Sequence, residues 1–225
     1  MNRFFVDDIG SDRFPLPASI AHQVARVLRL ADGDEITLLD GTGSQARCRL
    51  EGGACVVVER GAAGGEPAHR LTICQALIKG DRLEEVVRHG TELGIAAFRL
   101  VVTERCVVRE LSPRRVERLR VIAREAAEQS ERGLIPAVHD TVPLGAVLEP
   151  GSVLLQERHD GVRLSALEPP RTVIIGPEGG FTPGEIEAAD AAGVARAGLG
   201  PRILRSESVA LAVAAVILSR SGDFA

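Results

Sequence analysis

The sequence has 225 residues, 27 basic and 31 acidic, with a formal net charge of -4, a length suited to one large or two modest domains. Hydrophobic residues make up 45% and charged residues 26%, the balance of a folded chain, which excludes wholesale disorder. The longest apolar run, Val209 to Leu218, falls short of the ~20 residues of a membrane helix, and the opening MNRFFVDD carries charges where an export signal has its apolar stretch.

In chain order, a helix is expected from about Ser19 to Leu30. The runs Ile36 to Asp40, Gln45 to Leu50 and Ala54 to Glu59, punctuated by Gly-Thr-Gly and Gly52-Gly53 turns, read as short strands of a small antiparallel barrel. The stretch Gly61 to Pro67 has the glycine and proline content of a linker, which divides the chain into domains at 1–68 and 69–225.

After the linker, the apolar runs Leu71 to Ile78, Phe98 to Val102, Ser152 to Gln156 and Thr172 to Ile175 alternate with helical stretches, which implies an α/β domain with a largely parallel sheet. Amphipathic helices are expected at Arg82 to Leu93 and Pro113 to Glu131, the second with Ser112 as N-cap and proline at the first helical position. Gly133 and Pro136 end that second helix. The final helix, Ser208 to Arg220, is apolar on almost every side and is expected to lie between the sheet and a partner subunit.

Several chemistries lose support. The chain has no P-loop, no G-x-G-x-x-G after a strand and no G-x-S-x-G. His22, His69, His89, His139 and His159 lack metal-ligand spacing, and Cys48, Cys55, Cys74 and Cys106 form no Cys-x-x-Cys pair, so neither a metal site nor a disulfide framework is expected and a reducing cytoplasm is the expected location. With no Trp or Tyr, any RNA contact relies on arginine rather than on aromatic stacking. Residues 1–68 carry seven basic and ten acidic groups, residues 69–140 thirteen and eleven, and residues 141–225 seven and ten. Only the middle segment is net positive, which permits an RNA partner without demanding one.

Three stretches stand out. In the first, the strand Thr172 to Ile175 runs into Gly176-Pro177-Glu178-Gly179-Gly180, and Thr182, Pro183 and Glu185 then form a capping box with proline at the first helical position. Glycines squeezed between a strand end and a helix start either let a ligand approach the backbone or make a plain tight turn. The second, Leu199 to Ser208, also precedes a helix, and its Arg202 and Arg205 are either functional or surface charges. In the third, Glu125 to Pro136, helix-end chemistry accounts for the pattern and nothing in the residues themselves favours function.

Together with Arg3-Phe4-Phe5, Lys79-Gly80-Asp81-Arg82, Thr91-Glu92-Leu93-Gly94, Thr103-Glu104-Arg105 and Glu128-Gln129-Ser130, the segments Ile175 to Gly180 and Leu199 to Arg205 resemble the E-type small-subunit ribosomal RNA uridine-N3 methyltransferases of the SPOUT class. The resemblance implies an N-terminal PUA-like β-barrel for RNA and a C-terminal α/β domain tied in a deep trefoil knot that dimerises. It implies S-adenosylmethionine as cofactor, held by Leu155, Gln156, Glu157, Ile175, Gly176, Pro177, Glu178, Gly179, Gly180, Leu199, Gly200, Ile203, Leu204, Arg205 and Ser206. Arg3, Arg26, Arg29, Lys79, Arg88, Arg132 and Arg202 would contact RNA, the partner being 16S ribosomal RNA or the small subunit, with no metal and no membrane. Arg88-His89-Gly90, Glu131 before Arg132, and Ser206-Glu207-Ser208 depart from the family pattern, the last keeping its hydroxyls and carboxylate.

The chemistry so implied needs the N3 proton removed and charge on uracil O2 and O4 stabilised. Arg205 is assigned the second task, while Glu207 either accepts the proton or orients Arg205. A sister enzyme acting on another RNA base or ribose, and a non-catalytic ribosome-assembly factor, are the alternatives.

Overall fold

The computed structural model describes residues 2–157 and 161–224. It divides into two compact units, Met1–Glu66 with Ala127–Ile135, and Pro67–Ala126 with Pro136–Ala225.

The first unit holds a five-stranded sheet in the order β1-β3-β4-β5-β2, formed by β1 (Asn2–Phe5), β2 (Arg13–Pro15), β3 (Glu35–Leu39), β4 (Ser44–Glu51) and β5 (Ala54–Ala62). Alternation along β4 buries Ala46, Cys48 and Leu50, which join Phe4, Ile36, Leu38 and Cys55 in one core. Gly52 and Gly53, at φ 60° and 77°, turn β4 into β5 through the left-handed conformation that a two-residue hairpin demands.

Three expectations for this unit change. The sheet is not wholly antiparallel, because β1 pairs with β3 in parallel. The helix expected to reach Leu30 is a short α-helix, α1 (Ala18–His22), followed by a π-helical turn at Gln23–Val27. It closes on Arg29 at φ 55°, a left-handed residue that cannot continue a helix. The segment read as a linker begins as strand, since β5 runs on to Ala62.

The return segment Ala127–Ile135 belongs to this first unit, which the sequence pattern did not indicate. Ala127 and Ile135 pack with Phe5, Leu39 and Ala63, and Glu128 Oε1 accepts the Phe5 N–H at 2.9 Å. Gly133 is there for close approach: a Cβ on it would stand 2.6 Å from the Ala63 Cβ.

The second unit is built on a six-stranded sheet in the order β11-β9-β10-β6-β7-β8. Its strands are β6 (Thr72–Ala76), β7 (Ala97–Val102), β8 (Ala137–Pro143), β9 (Val153–Leu155), β10 (Thr172–Ile175) and β11 (Ala195–Ala197). Every pairing is parallel, as alternating strands and helices imply. The helices are α2 (Arg82–Glu92), α3 (Pro113–Gln129), α4 (Pro183–Ala191) and α5 (Ser206–Arg220). α3 starts where Ser112 Oγ accepts the Arg115 N–H at 3.3 Å, and its left-handed terminal residue is Glu131 at φ 58° rather than Gly133.

Both faces of the sheet are covered. Leu83, Val86 and Val87 of α2, Leu119 and Ile122 of α3, and Val213 and Ile217 of α5 pack with Ile73, Phe98, Leu100 and Val173. On the other face Cys74, Val101, Leu154 and Ile174 meet Phe181, Ala189 and Val194. Near-complete burial on both sides explains why these strands read as continuous apolar runs rather than as alternating ones. α5 buries Ala210, Val213, Ala214, Ile217 and Leu218, with Val209, Leu211 and Val216 half-exposed.

Candidate active site

The strand order reverses beside β10: β6 leads outward through β7 to β8, whereas β10 is followed by β11 on the far side of β9. In open parallel sheets that switch point leaves a crevice beyond the carboxyl ends of the strands. Here it holds a cleft of about 560 Å³, within the range of small-ligand sites. Leu155-Gln156-Glu157 line it from the end of β9, Ile175 and Gly176 to Gly180 from the end of β10, and Leu199-Gly200 with Arg202 to Glu207 from the approach to α5. All residues expected to hold a cofactor therefore converge on one cavity. Lys79 and Arg88 are not among its lining residues.

The walls are fixed by hydrogen bonds. Arg105, in the loop after β7, donates from Nη1 to the carbonyls of Gly179 at 2.9 Å and Phe181 at 3.1 Å. The capping box at the start of α4 forms as expected, with Thr182 Oγ1 accepting from Glu185 N at 3.3 Å and Glu185 Oε2 from Thr182 N at 2.9 Å. The other Glu185 oxygen accepts the Glu104 N–H at 2.7 Å. Behind the cleft, buried Gln75 donates to Ser206 Oγ at 2.9 Å, and Ser206 Oγ donates to the Gly176 carbonyl at 2.7 Å. The end of β6, the segment after β7 and the starts of α4 and α5 are thus tied to the loop that follows β10.

Two glycines answer to geometry. A Cβ on Gly176 would lie 3.0 Å from the Phe181 ring, and Gly200 has φ 118°, which side-chain-bearing residues rarely adopt. Ser206 lines the cleft while its hydroxyl is committed to Gly176 and Gln75.

The charged residues divide into paired and free. Arg205 is exposed, forms the N-cap of α5 and, among the described residues, has no carboxylate within ion-pair distance. Glu207 does not pair with it; its Oε1 lies 3.6 Å from Arg82 Nε, and its side chain is only 13% exposed. Glu207 Oε2 is buried with no hydrogen-bond partner among the described residues. Arg202 is exposed at the cleft, and Lys79, Arg26 and Arg29 are exposed elsewhere, while Arg88 is half-buried. In the first unit, Arg3 has Nε and Nη2 buried without partners among the described residues. Arg132 requires correction as an RNA contact: it is 3% exposed and its guanidinium grips Glu66 at 2.6 and 3.1 Å, so its N–H groups are not presented to a phosphate.

Arg82, Arg105, Gln75 and Phe181 carry no site role in the sequence reading. The signal that finds the first two is position, since each lies in the first residues after a strand of the parallel sheet. Among the described residues no group of His, Cys, Asp or Glu is arranged to hold a metal, and no helix is long and apolar enough to cross a membrane. His159 lies outside the described residues.

The doubly covered parallel sheet and its glycine-lined cleft at the switch point define an open α/β protein built to bind a small ligand. The family model for the RNA methyltransferase domain matches residues 65–218. Ribosomal RNA small subunit methyltransferase E of Bacillus subtilis is 31% identical, over 94% of this chain and 93% of its own length. The enzyme of the same name from Synechocystis is 36% identical, over 82% of this chain and 66% of its own. A crystal structure of ribosomal RNA small subunit methyltransferase E from Neisseria gonorrhoeae, bound to S-adenosyl methionine, superposes with a TM-score of 0.87 at 29% identity, over 98% of both chains. The chain belongs to the family of small-subunit ribosomal RNA methyltransferases E.

Proposed function

We propose that the chain is an S-adenosylmethionine-dependent methyltransferase that acts on N3 of a uridine in 16S ribosomal RNA. The observation that carries this reading is the convergence of the three motif-bearing loops on one cleft outside the parallel sheet. The residues present suit the cofactor: the cavity has the right order of size, Gly200 leaves open space where a Cβ would stand, and a buried carboxylate oxygen of Glu207 lacks a donor among the described residues. When bound, the cofactor supplies an electrophilic methyl carbon on a sulfonium.

The protein's tasks are alignment and charge control. The pinned loops hold the reactants in line. Arg205, free of a competing carboxylate among the described residues, stabilises negative charge spread over uracil O2 and O4, and Glu207 stands at the same cleft to handle the N3 proton. Arg3, Arg26, Arg29, Lys79, Arg88 and Arg202 position phosphates. The first unit serves as a PUA-like RNA-binding barrel. The second serves as a knotted SPOUT domain that pairs with a second copy through α5, in the cytoplasm.

Incubating the protein with labelled cofactor and undermethylated ribosomal RNA, then mapping the product by mass spectrometry, tests the reading. A single N3-methyluridine in 16S RNA is expected. Label on a ribose, on another base, or on no nucleotide contradicts it.

A further inference from the structure

We infer that Arg82 is a positioning residue for methyl transfer: it bridges Glu178 and Glu207, which come from different loops, and holds Glu207 so that its free oxygen accepts the substrate N–H proton. The inference rests on the function proposed above.

Arg82 is the first residue of α2. Its Nη1 lies 3.5 Å from Glu178 Oε1 in the glycine loop, and its Nε lies 3.6 Å from Glu207 Oε1 at the start of α5. All three side chains belong to residues lining the cleft. Glu178 Oε1 also accepts the Lys79 N–H at 3.2 Å, which anchors that carboxylate to the chain just before α2. A guanidinium offers several N–H groups in a fixed fork and serves two carboxylates at once, which a lysine ammonium does less well.

The consequence lies in what remains unpaired. Glu207 has one oxygen beside Arg82 and the other, Oε2, buried without a donor. Leaving such an oxygen unsatisfied is unfavourable, so a turn of the carboxylate about the Arg82-held Oε1 that brings Oε2 to a ligand N–H or O–H is favoured when substrate enters. The imide N3–H of uracil is a donor of that kind, and N3 becomes nucleophilic when the proton departs. Glu207 Oε2 takes the proton as the N3–H bond breaks. The electron pair left on N3 forms the bond to the methyl carbon, and the carbon–sulfur pair returns to sulfur. The carboxylate and the sulfonium both become neutral, so the step balances in charge. By holding Oε1, Arg82 sets the pivot about which Oε2 meets the substrate.

The test is a double-mutant cycle on full-length protein with R82K, R82A, E207Q and R82A/E207Q. Single-turnover methylation of undermethylated ribosomal RNA and calorimetric cofactor affinity are both read, with a thermal melt on each variant. E207Q is expected to lower the rate by at least about 100-fold. R82K, which keeps the charge and the fold, is expected to lower it by about tenfold, with cofactor affinity within about threefold of wild type. R82A/E207Q is expected to be no slower than E207Q, because Arg82 acts through Glu207. An R82K variant as fast as wild type overturns the inference, as do rate losses that multiply in the double variant or an R82K defect confined to cofactor affinity. Such results in an active wild-type enzyme leave the proposed function standing. A wild type with no methylation rejects that function itself.

Discussion

Arg205 and Arg132 show how much a residue's surroundings decide. Both are arginines in motif-bearing segments, yet Arg205 is exposed at the mouth of the cleft while Arg132 is buried against Glu66. The sequence singles out the first from its glycine-bearing loop and gives no sign that the second is buried, because the carboxylate that occupies Arg132 lies 66 positions earlier in the chain. Replacing Arg205 with alanine is expected to cut turnover about 100-fold, the scale of one lost oxyanion partner. Calorimetry should find cofactor affinity nearly unchanged, since the three loops that line the cleft keep their remaining residues. Unchanged turnover would remove Arg205 from the mechanism. Gln75 marks the limit of residue-level reading: it sits within an apolar strand run, and only the parallel pairing of β6 beside β10 brings it to Ser206 and Gly176.

Among the elements, those with strong periodicity or caps were legible. α2, α3 and α4 begin where the sequence placed them, because a helix start is written locally in Ser112-Pro113 and Thr182-Pro183. Four strands were missed: β1 has four residues, β2 and β11 have three each, and β8 buries only Val138 along its length. The segment after α3 was read as a helix end with no further structure. It is fixed instead by the Glu66 carboxylate, which accepts from Arg132 and from the Leu134 N–H at 3.0 Å. Changing Glu66 to alanine is therefore expected to destabilise the first unit by about 3 kcal/mol, the scale of removing one partner from a buried ion pair. Urea denaturation measures it, and a loss within about 0.5 kcal/mol, as for an ordinary surface change, would show that the pair contributes little.

Over the whole molecule, the parallel sheet followed from alternation, whereas the return of Ala127–Ile135 to the first unit did not. Composition does not record which parts of a chain come back together. A net charge of -4 is compatible with an RNA substrate because binding depends on where cations are placed, not on their sum. What the account needs most is that the cleft outside β9 and β10 takes an adenosyl sulfonium. Titrating purified protein with S-adenosylmethionine in a calorimeter, alongside a thermal melt, asks this directly. Saturable heat with a rise of a few degrees in Tm at about 100 times Kd is expected. No heat and no shift from a folded protein would contradict the assignment of the cleft.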